Sequence, residues 1–419
     1  MTHHKPRIHE ITTFRNLPVH TYKLDNGMEI HGFYNDTIKA MKLDFIFESG
    51  QALQSKTFLS AFTNAMLREG KQNGKSQSFE ETLDYYGIFL QQKIGRKWSV
   101  FTFYLPVMYL ENLLPVAYDM LFDPDFTEDS LTFLREKTRQ RLRQNLKRTD
   151  YNAAAYLKTL IWGKNNPLGF YPEESALNNI TLDDIENFYH KNYISSCRIG
   201  ISGYFPKDIK SQLNKHFGQV AVQYKSVENI TAPNPDEPKN HHIAMDDKSQ
   251  TSLKWGKKII GPGHPDYFGF KVVDTIFGGF FGSRLMRNIR EDKAYTYGIY
   301  SNIKPSQYGC THTISTDVGH EYLEDTIRQI EHEAETLKSD LVSEEELRLV
   351  QNYMSGELLS TFDGAFKHAS IYQYLLEMDL DFAYYADFIR QIHEITPSDI
   401  RDIAAKHLDT KAMHKVTAG

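Results

Sequence analysis

Two short segments of similar sequence constrain the fold of this chain more than any other feature. Residues 180–193 read ITLDDIENFYHKNY and residues 395–408 read ITPSDIRDIAAKHL; both begin with Ile-Thr, place Asp-Ile at the same offset and carry Lys at the twelfth position. Thr181 with Asp184 in one segment, and Thr396 with Asp399 in the other, can cap the start of a helix. Because each segment lies near the end of one half of the chain, we interpret them as the result of an internal duplication.

A proline-rich stretch separates the two halves. Residues 224–242 read YKSVENITAPNPDEPKNHH, and their prolines interrupt any regular helix or strand. A chain of 419 residues is also too long for one ordinary hydrophobic core. We therefore predict an N-terminal domain at residues 1–223, an extended linker at residues 224–242 and a C-terminal domain at residues 243–419.

Composition and charge exclude several classes of protein. The formal net charge of -6 gives no overall attraction for nucleic acid or for an anionic membrane. Two cysteines, Cys197 and Cys310, are too few for a disulfide framework, and we expect both to be buried. Residues 1–16 lack the apolar run of a signal peptide, and no apolar stretch reaches about 18 residues. We expect a cytoplasmic protein, or a periplasmic one if a native leader has been removed.

The pattern of apolar residues predicts an α+β fold. LDNGMEIHGF, from Leu24, carries the Asn-Gly signal of a hairpin, and in MKLDFIFESG every second residue from Leu43 is apolar. Lys42 and Asp44 alternate with these, so we expect a strand with one buried face. Predicted helices lie between such strands. Each domain should therefore be a mainly antiparallel sheet packed with helices.

The order of these parts resembles the insulinase-like (pitrilysin-type) zinc peptidases, in particular the bacterial branch similar to mitochondrial processing peptidase. The resemblance is carried by LDNGMEI, the strand ending in ESG, Pro-Leu-Gly within residues 163–169, and IFGGFFGSRLMRNIREDKAYTYGIYS in the second half. It covers nearly the whole chain. The resemblance implies that the two duplicated domains form a clam-like half-chamber.

The metal-binding motif of the family, H-x-x-E-H, is absent at the matching positions. There the chain reads Ala61-Phe62-Thr63-Asn64-Ala65, so alanine replaces both histidines and asparagine replaces the glutamate base. In the motif, histidines four apart share one helix face and bind zinc, while the glutamate takes a proton from the metal-bound water. An alanine methyl cannot ligate a metal, and an amide is not a useful base.

The third ligand of the family, a glutamate, should fall near Leu142 or Arg143. No glutamate occurs between Glu136 and Glu173, and residues 137–148 are strongly basic instead. A cation beside a divalent metal would be repelled by several kcal/mol, about 4 kcal/mol per unit-charge pair at 4 Å and an effective dielectric constant of about 20. We therefore predict that this chain binds no cofactor and no metal and has no complete catalytic site of its own.

The second half retains the other functional element of the family. The resemblance assigns Arg290 and Tyr297 to substrate binding, the arginine as a donor to peptide carbonyls and the tyrosine as a donor to the scissile carbonyl or its oxyanion. It also places the glycine-rich turn, with Gly278, Gly279 and Gly282, beside the strand edge to which a peptide adds.

Plainer interpretations of the same residues stay open at this point. Arg284, Arg287 and Arg290 could form one solvated helix stripe paired with Glu291. Tyr297, like Tyr295, could be a strand residue that faces the core, and the glycines could form only a flexible packing turn.

Taken together, the sequence predicts the non-catalytic subunit of a two-chain zinc peptidase. It would bind unfolded peptide and position it for a homologous partner that carries H-x-x-E-H and the zinc. A peptide-binding or scaffold homodimer without proteolysis is the first alternative. A stand-alone zinc endopeptidase with atypical ligands is the second.

Overall fold

The computed structural model describes residues 16–37, 39–69, 79–222 and 237–419. The chain divides into two compact units. One contains Leu17–Asp236 and Gly364–Glu377, and the other contains Glu237–Asp363 and Met378–Gly419. Most of the predicted linker and residues 1–15, on which the expectation about a leader rests, lie outside the described residues. The end of the predicted linker is a strand rather than an extended connection, because Asn240–Ile243 pairs with a strand at the C-terminus.

The N-terminal unit contains a six-stranded sheet in the order β1-β2-β6-β3-β5-β4, and all neighbours are antiparallel except β2 and β6. Its strands are β1 (His20–Lys23), β2 (Glu29–Tyr34), β3 (Ala40–Phe47), β4 (Phe89–Ile94), β5 (Ser99–Pro106) and β6 (Arg198–Gly203). Its helices are α1 (Leu59–Glu69), α2 (Phe79–Tyr85), α3 (Leu110–Phe122), α4 (Glu128–Leu146), α5 (Thr149–Trp162), α6 (Leu182–Asn192) and α7 (Ile209–Phe217).

The C-terminal unit contains a five-stranded sheet in the order β7-β11-β8-β10-β9, in which only β7 and β11 are parallel. The strands are β7 (Asn240–Ile243), β8 (Gln250–Ile259), β9 (Ile299–Lys304), β10 (Cys310–Gly319) and β11 (His414–Ala418). The helices of the C-terminal half are α8 (Tyr267–Asp274), α9 (Leu323–Ser339), α10 (Glu344–Thr361), α11 (Ala365–Met378), α12 (Ala383–Glu394) and α13 (Pro397–His407).

The two sheets repeat one topology, which confirms the duplication predicted from the sequence. The order β2-β6-β3-β5-β4 of the first sheet corresponds strand by strand to β7-β11-β8-β10-β9 of the second, including the single parallel pair. The helices before β6 and β11 both begin with a complete capping box, formed by Thr181 with Asp184 and by Thr396 with Asp399. The α+β fold class, with mainly antiparallel sheets, is confirmed.

Helix α11 packs with the N-terminal unit, although the sequence analysis placed residues 364–377 in the C-terminal domain. It covers the face of the first sheet that, from the alternation of polar residues along β3, is expected to meet solvent. The ring of Tyr372 lies 5.2 Å from that of His31 and 5.5 Å from that of Phe33, both on β2.

The expectation that β3 has only one buried face is therefore wrong. Lys42 and Asp44 are 4 % and 2 % exposed, and they form an ion pair of 2.9 Å. The Lys42 ammonium also donates to Ser370 Oγ of α11 at 3.2 Å, and Thr102 Oγ1 donates to Asp44 at 2.6 Å. Alternating polarity predicted the strand correctly, but it could not show that a helix from the second half covers the polar side chains. Cys197 and Cys310 are buried as expected.

Among the described residues, no helix is long and apolar enough to cross a membrane.

Candidate functional site

Helix α1 carries the positions that match the metal motif of the family. Ala61 is exposed, Ala65 is half-buried and Asn64 is buried. The Asn64 amide donates to the hydroxyl of Tyr193 at 3.3 Å, and its backbone carbonyl accepts from Gln92 of β4 at 2.9 Å. Asn64 is thus part of the internal hydrogen-bond network of the N-terminal unit.

Tyr193 explains why an amide suits this position. The Tyr193 side chain is fully buried, and burial raises the pKa of its phenol despite hydrogen bonds with Ser49, Ser99 and Asn64. A neutral amide can bond to a neutral phenol in the core at little cost, whereas a carboxylate there would lose its hydration.

The third ligand position lies on α4 and offers no donor to a metal. Leu142 is buried in the hydrophobic core, and Arg143 is exposed and forms a two-point ion pair with Glu174. The cavities beside Ala61 are lined by Arg141 and Lys158 and by no histidine, cysteine or carboxylate of the described residues. Two methyl groups, an engaged amide and two cations do not fit a zinc ion.

One group of potential metal ligands occurs elsewhere in the described part of the chain, formed by His264, Asp266 and His407. His407 Nε2 lies 2.9 Å from Asp266 Oδ2, and the Lys406 ammonium lies 3.5 Å from the same oxygen. The backbone N–H of Asp266 donates to His264 Nδ1 at 3.1 Å. Because these contacts already use the ligand atoms and bring a cation beside them, we interpret the group as a polar contact between the start of α8 and the end of α13.

Arg290 and Tyr297 lie next to each other in the C-terminal unit. Arg290 belongs to a short π-helical segment, Met286–Asp292, and a turn through Ala294, with a φ of 55°, leads to Tyr297 just before β9. The Arg290 Nε–H donates to the Tyr297 carbonyl at 3.0 Å. The seven-residue separation seen in the sequence is thus closed by a direct hydrogen bond.

The environment of this pair leaves its functional atoms accessible. The Tyr297 side chain is 92 % exposed, and its hydroxyl has no hydrogen-bond partner among the described residues. The Arg290 guanidinium lies 4.5 Å from the centre of the Phe281 ring, which is itself 60 % exposed. The cation–π contact with Phe281 and the hydrogen bond to the Tyr297 carbonyl hold the Arg290 side chain in place. Its two terminal nitrogens make no hydrogen bond within the described ranges.

The plainer interpretations of this segment are not what the structure shows. Arg284 is held in a two-point ion pair with Glu346 at the start of α10, so the three arginines do not form one solvated stripe. Tyr295 stacks on Tyr322 with ring centres 4.3 Å apart, and neither Tyr295 nor Tyr297 is a strand residue that faces the core.

The glycine-rich turn packs closely against its surroundings. A Cβ atom at Gly278 would lie 2.7 Å from Cβ of Ser301 on β9, and one at Gly282 would lie 2.8 Å from the Phe280 ring. Gly279 is less crowded, because the nearest atom would be the Asp274 carbonyl oxygen at 3.2 Å. Close packing therefore accounts for Gly278 at least, and the assignment of all three to substrate binding stays a prediction.

A buried polar cluster beneath this turn has the residue types of a catalytic triad but not its arrangement. His312 Nε2 lies 2.6 Å from Ser301 Oγ and 2.8 Å from Asp274 Oδ1, and Ser301 also donates to Asp274. In a triad the base uses one ring nitrogen for each partner, whereas here one nitrogen contacts both. The His312 side chain is inaccessible to solvent, so the cluster joins α8 to β9 and β10.

Phe281 is a candidate site residue that the sequence analysis did not single out. A large apolar residue between glycines and a basic segment is the signal that could have indicated it, since an apolar side chain in a surface turn is expected to contact something. Strand β9, which follows Tyr297, is the edge of its sheet and carries the half-exposed Tyr300.

Comparisons with known proteins agree with this picture. Residues 179–354 match the family model described as peptidase M16 inactive domain. An "uncharacterized zinc protease", YmxG of Bacillus subtilis, is 23 % identical over 355 residues, which cover 82 % of this chain and 84 % of that protein. A "probable inactive metalloprotease", YmfF of the same organism, is 22 % identical over 423 residues, which cover 94 % of this chain and 97 % of that protein.

A crystal structure described as a peptidase M16 inactive domain from Pseudomonas fluorescens has the same fold. Its TM-score is 0.84 at 23 % identity, and the match covers 96 % of this chain and 98 % of that one. These findings confirm the family resemblance found in the sequence: the chain is similar over most of its length to M16-type proteins, some of which are described as inactive.

Proposed function

We propose that this chain is the non-catalytic subunit of a two-chain zinc peptidase. It binds an unfolded peptide through Arg290 and Tyr297 and positions that peptide for a homologous partner that carries H-x-x-E-H and the zinc. The observation that carries the proposal is a contrast within one chain. The metal positions hold Ala61, Asn64 and Ala65, whereas Arg290 and Tyr297 are joined by a hydrogen bond and remain accessible.

The chemistry of the pair suits a peptide in the act of hydrolysis. The Arg290 guanidinium presents planar N–H donors, which match peptide carbonyl oxygens and keep their charge at any working pH. The Tyr297 hydroxyl can donate a hydrogen bond to the carbonyl oxygen under attack, and that bond strengthens as negative charge develops on the oxygen. The zinc and the base that activate water belong to the partner in this proposal.

Edge strand β9 supports binding of an extended peptide. It lies directly after Tyr297 and ends its sheet, so its outer backbone groups offer the pattern to which a further strand can add. Tyr300 on that strand and Phe281 beside Arg290 would contact peptide side chains.

Reconstitution tests the proposal. The purified chain is mixed with a homologue from the same genome that carries H-x-x-E-H, and hydrolysis of an unfolded peptide is followed. We expect activity in the mixture, and we expect Tyr297→Phe to lower its kcat/KM by about 10²-fold. Tyr85→Phe is the matched control, because it removes the same hydroxyl from an exposed tyrosine outside the proposed binding surface. A mixture that gains nothing from this chain, or that responds equally to both variants, contradicts the proposal.

A peptide-binding or scaffold homodimer is the second candidate. The relative described as a probable inactive metalloprotease is compatible with it, since peptide binding or scaffolding requires no proteolytic site. The mass of the native complex separates the candidates: a self-dimer without an H-x-x-E-H chain favours the homodimer.

A further inference from the structure

Two cavities adjoin α1 on the side where the family places its metal. Their volumes are about 310 and 180 Å³, and both are lined by Phe58, Ala61 and Tyr151. Ala65 lines the smaller one. The alanines at the two histidine positions therefore leave open space instead of a filled core.

Each cavity has one cation in its lining that has no counter-ion. Arg141 of α4 lines the smaller cavity and Lys158 of α5 lines the larger one. Neither forms an ion pair or a side-chain hydrogen bond with any residue that the structure describes. No acidic side chain of these residues lines either cavity.

The other arginines of the same region behave differently. Arg139 and Arg143 both pair with Glu174, and Arg148 pairs with Asp150. Nearby carboxylates thus neutralise the charges of these three arginines, which do not line the cavities. The charges of Arg141 and Lys158 remain available at the cavities.

Neutral donors and apolar surface complete the lining. The Tyr151 hydroxyl has no hydrogen-bond partner within the described ranges; burial raises the pKa of its phenol, and the nearby Arg141 charge acts in the opposite direction. Desolvation lowers the pKa of Lys158, and the Arg96 guanidinium adds to this effect. Phe58, Phe170 and Pro172 supply the apolar part of the larger cavity.

We propose that these cavities form a binding site for the C-terminal carboxylate of a peptide whose last residue is apolar. The charges of Arg141 and Lys158, one in each cavity, would attract the carboxylate, and Tyr151, which lines both cavities, would donate a hydrogen bond to it. The apolar surface would contact the last side chain, a contact that inorganic phosphate cannot make. Positions that hold a metal in the catalytic relatives would here have become an anion site.

This inference deepens the proposed function, because it gives the bound peptide a second anchor in the same chain. It rests on the proposed function only for the nature of the ligand. Its test uses this chain alone and measures binding, whereas the test of the proposed function measures hydrolysis by the mixture. Failure of one is therefore distinguishable from failure of the other.

The probe is an N-acetylated pentapeptide that ends in phenylalanine, compared with its C-terminal amide by calorimetry. We expect the acid to bind at least about tenfold more tightly than the amide. A difference of this size corresponds to the free energy of a hydrogen bond to a charged group. Arg141→Gln and Lys158→Gln should each weaken binding of the acid by about tenfold and leave the amide unaffected. Ala61→Trp, which fills both cavities without changing the charge, should abolish binding.

Arg143→Gln is the matched control, because it removes one positive charge from the same helix outside the cavities. It should leave the affinity for the acid unchanged. Equal binding of acid and amide overturns the proposal, as does an Arg143→Gln effect as large as that of Arg141→Gln. Inorganic phosphate that binds as tightly as the acid peptide contradicts the assignment to a carboxylate.

Discussion

Replacement of Arg290 by alanine separates a binding role from a structural one. In the structure Arg290 makes one hydrogen bond of 3.0 Å to the Tyr297 carbonyl and one cation–π contact of 4.5 Å with Phe281, and both lie at the surface. Contacts of this kind contribute about 0.5–1.5 and 0.5–1 kcal/mol. The loss of stability should therefore be no more than about 2.5 kcal/mol, which leaves the domain folded.

The loss of activity should be larger than the loss of stability. If Arg290 stabilises the transition state in the mixed complex, its removal costs about 3 kcal/mol, or about 10²-fold in kcat/KM. Thermal unfolding of the chain and peptide hydrolysis by the mixture measure the two effects. Arg287→Ala is the matched control, because Arg287 is an exposed arginine of the same segment. Unchanged hydrolysis by the Arg290→Ala complex would refute the reasoning.

Three further predictions concern the framework. Lys42→Met should destabilise the N-terminal unit by about 3–5 kcal/mol in denaturant unfolding, since it leaves Asp44 charged and buried. A loss of stability below about 1 kcal/mol would show that water solvates the ion pair. Gly278→Ala should cost about 1–3 kcal/mol because its Cβ would force β9 to shift. An unchanged melting temperature would instead point to a role in binding only. Hydrogen bonds from the Thr396 hydroxyl and N–H lower the pKa of Asp399. The contribution of the ionised Asp399 carboxylate to the free energy of unfolding is therefore complete above the unfolded-state pKa of about 3.9. It is lost as the pH falls through the lower folded-state pKa. The stability difference between wild type and Asp399→Ala should shrink in that range, and a difference that stays constant there would contradict the assignment.

The elements that local signals specify could be predicted from the sequence. Both capping boxes are where the Thr-x-x-Asp spacing places them, because that signal depends only on neighbouring residues. The strand from Ala40 follows from the alternation of apolar and polar residues in the same way. The duplication was visible because both copies kept these local signals.

Contacts between distant parts of the chain could not be predicted. Burial of Lys42 depends on α11, which lies more than three hundred residues later in the chain. The sequence around Lys42 does not indicate that this helix packs over it. The bond between Asn64 and Tyr193 likewise joins residues 129 positions apart. The sequence showed that the metal ligands were missing, but only the structure shows which charges and cavities lie in their place.

Peptide hydrolysis by three samples tests the central claim most directly: this chain alone, its H-x-x-E-H partner alone, and the two mixed in equal amounts. The account predicts that this chain alone is inactive and that the mixture cleaves the peptide much faster than the partner alone. Metal-dependent hydrolysis by this chain alone, or a mixture no faster than the partner, would contradict it.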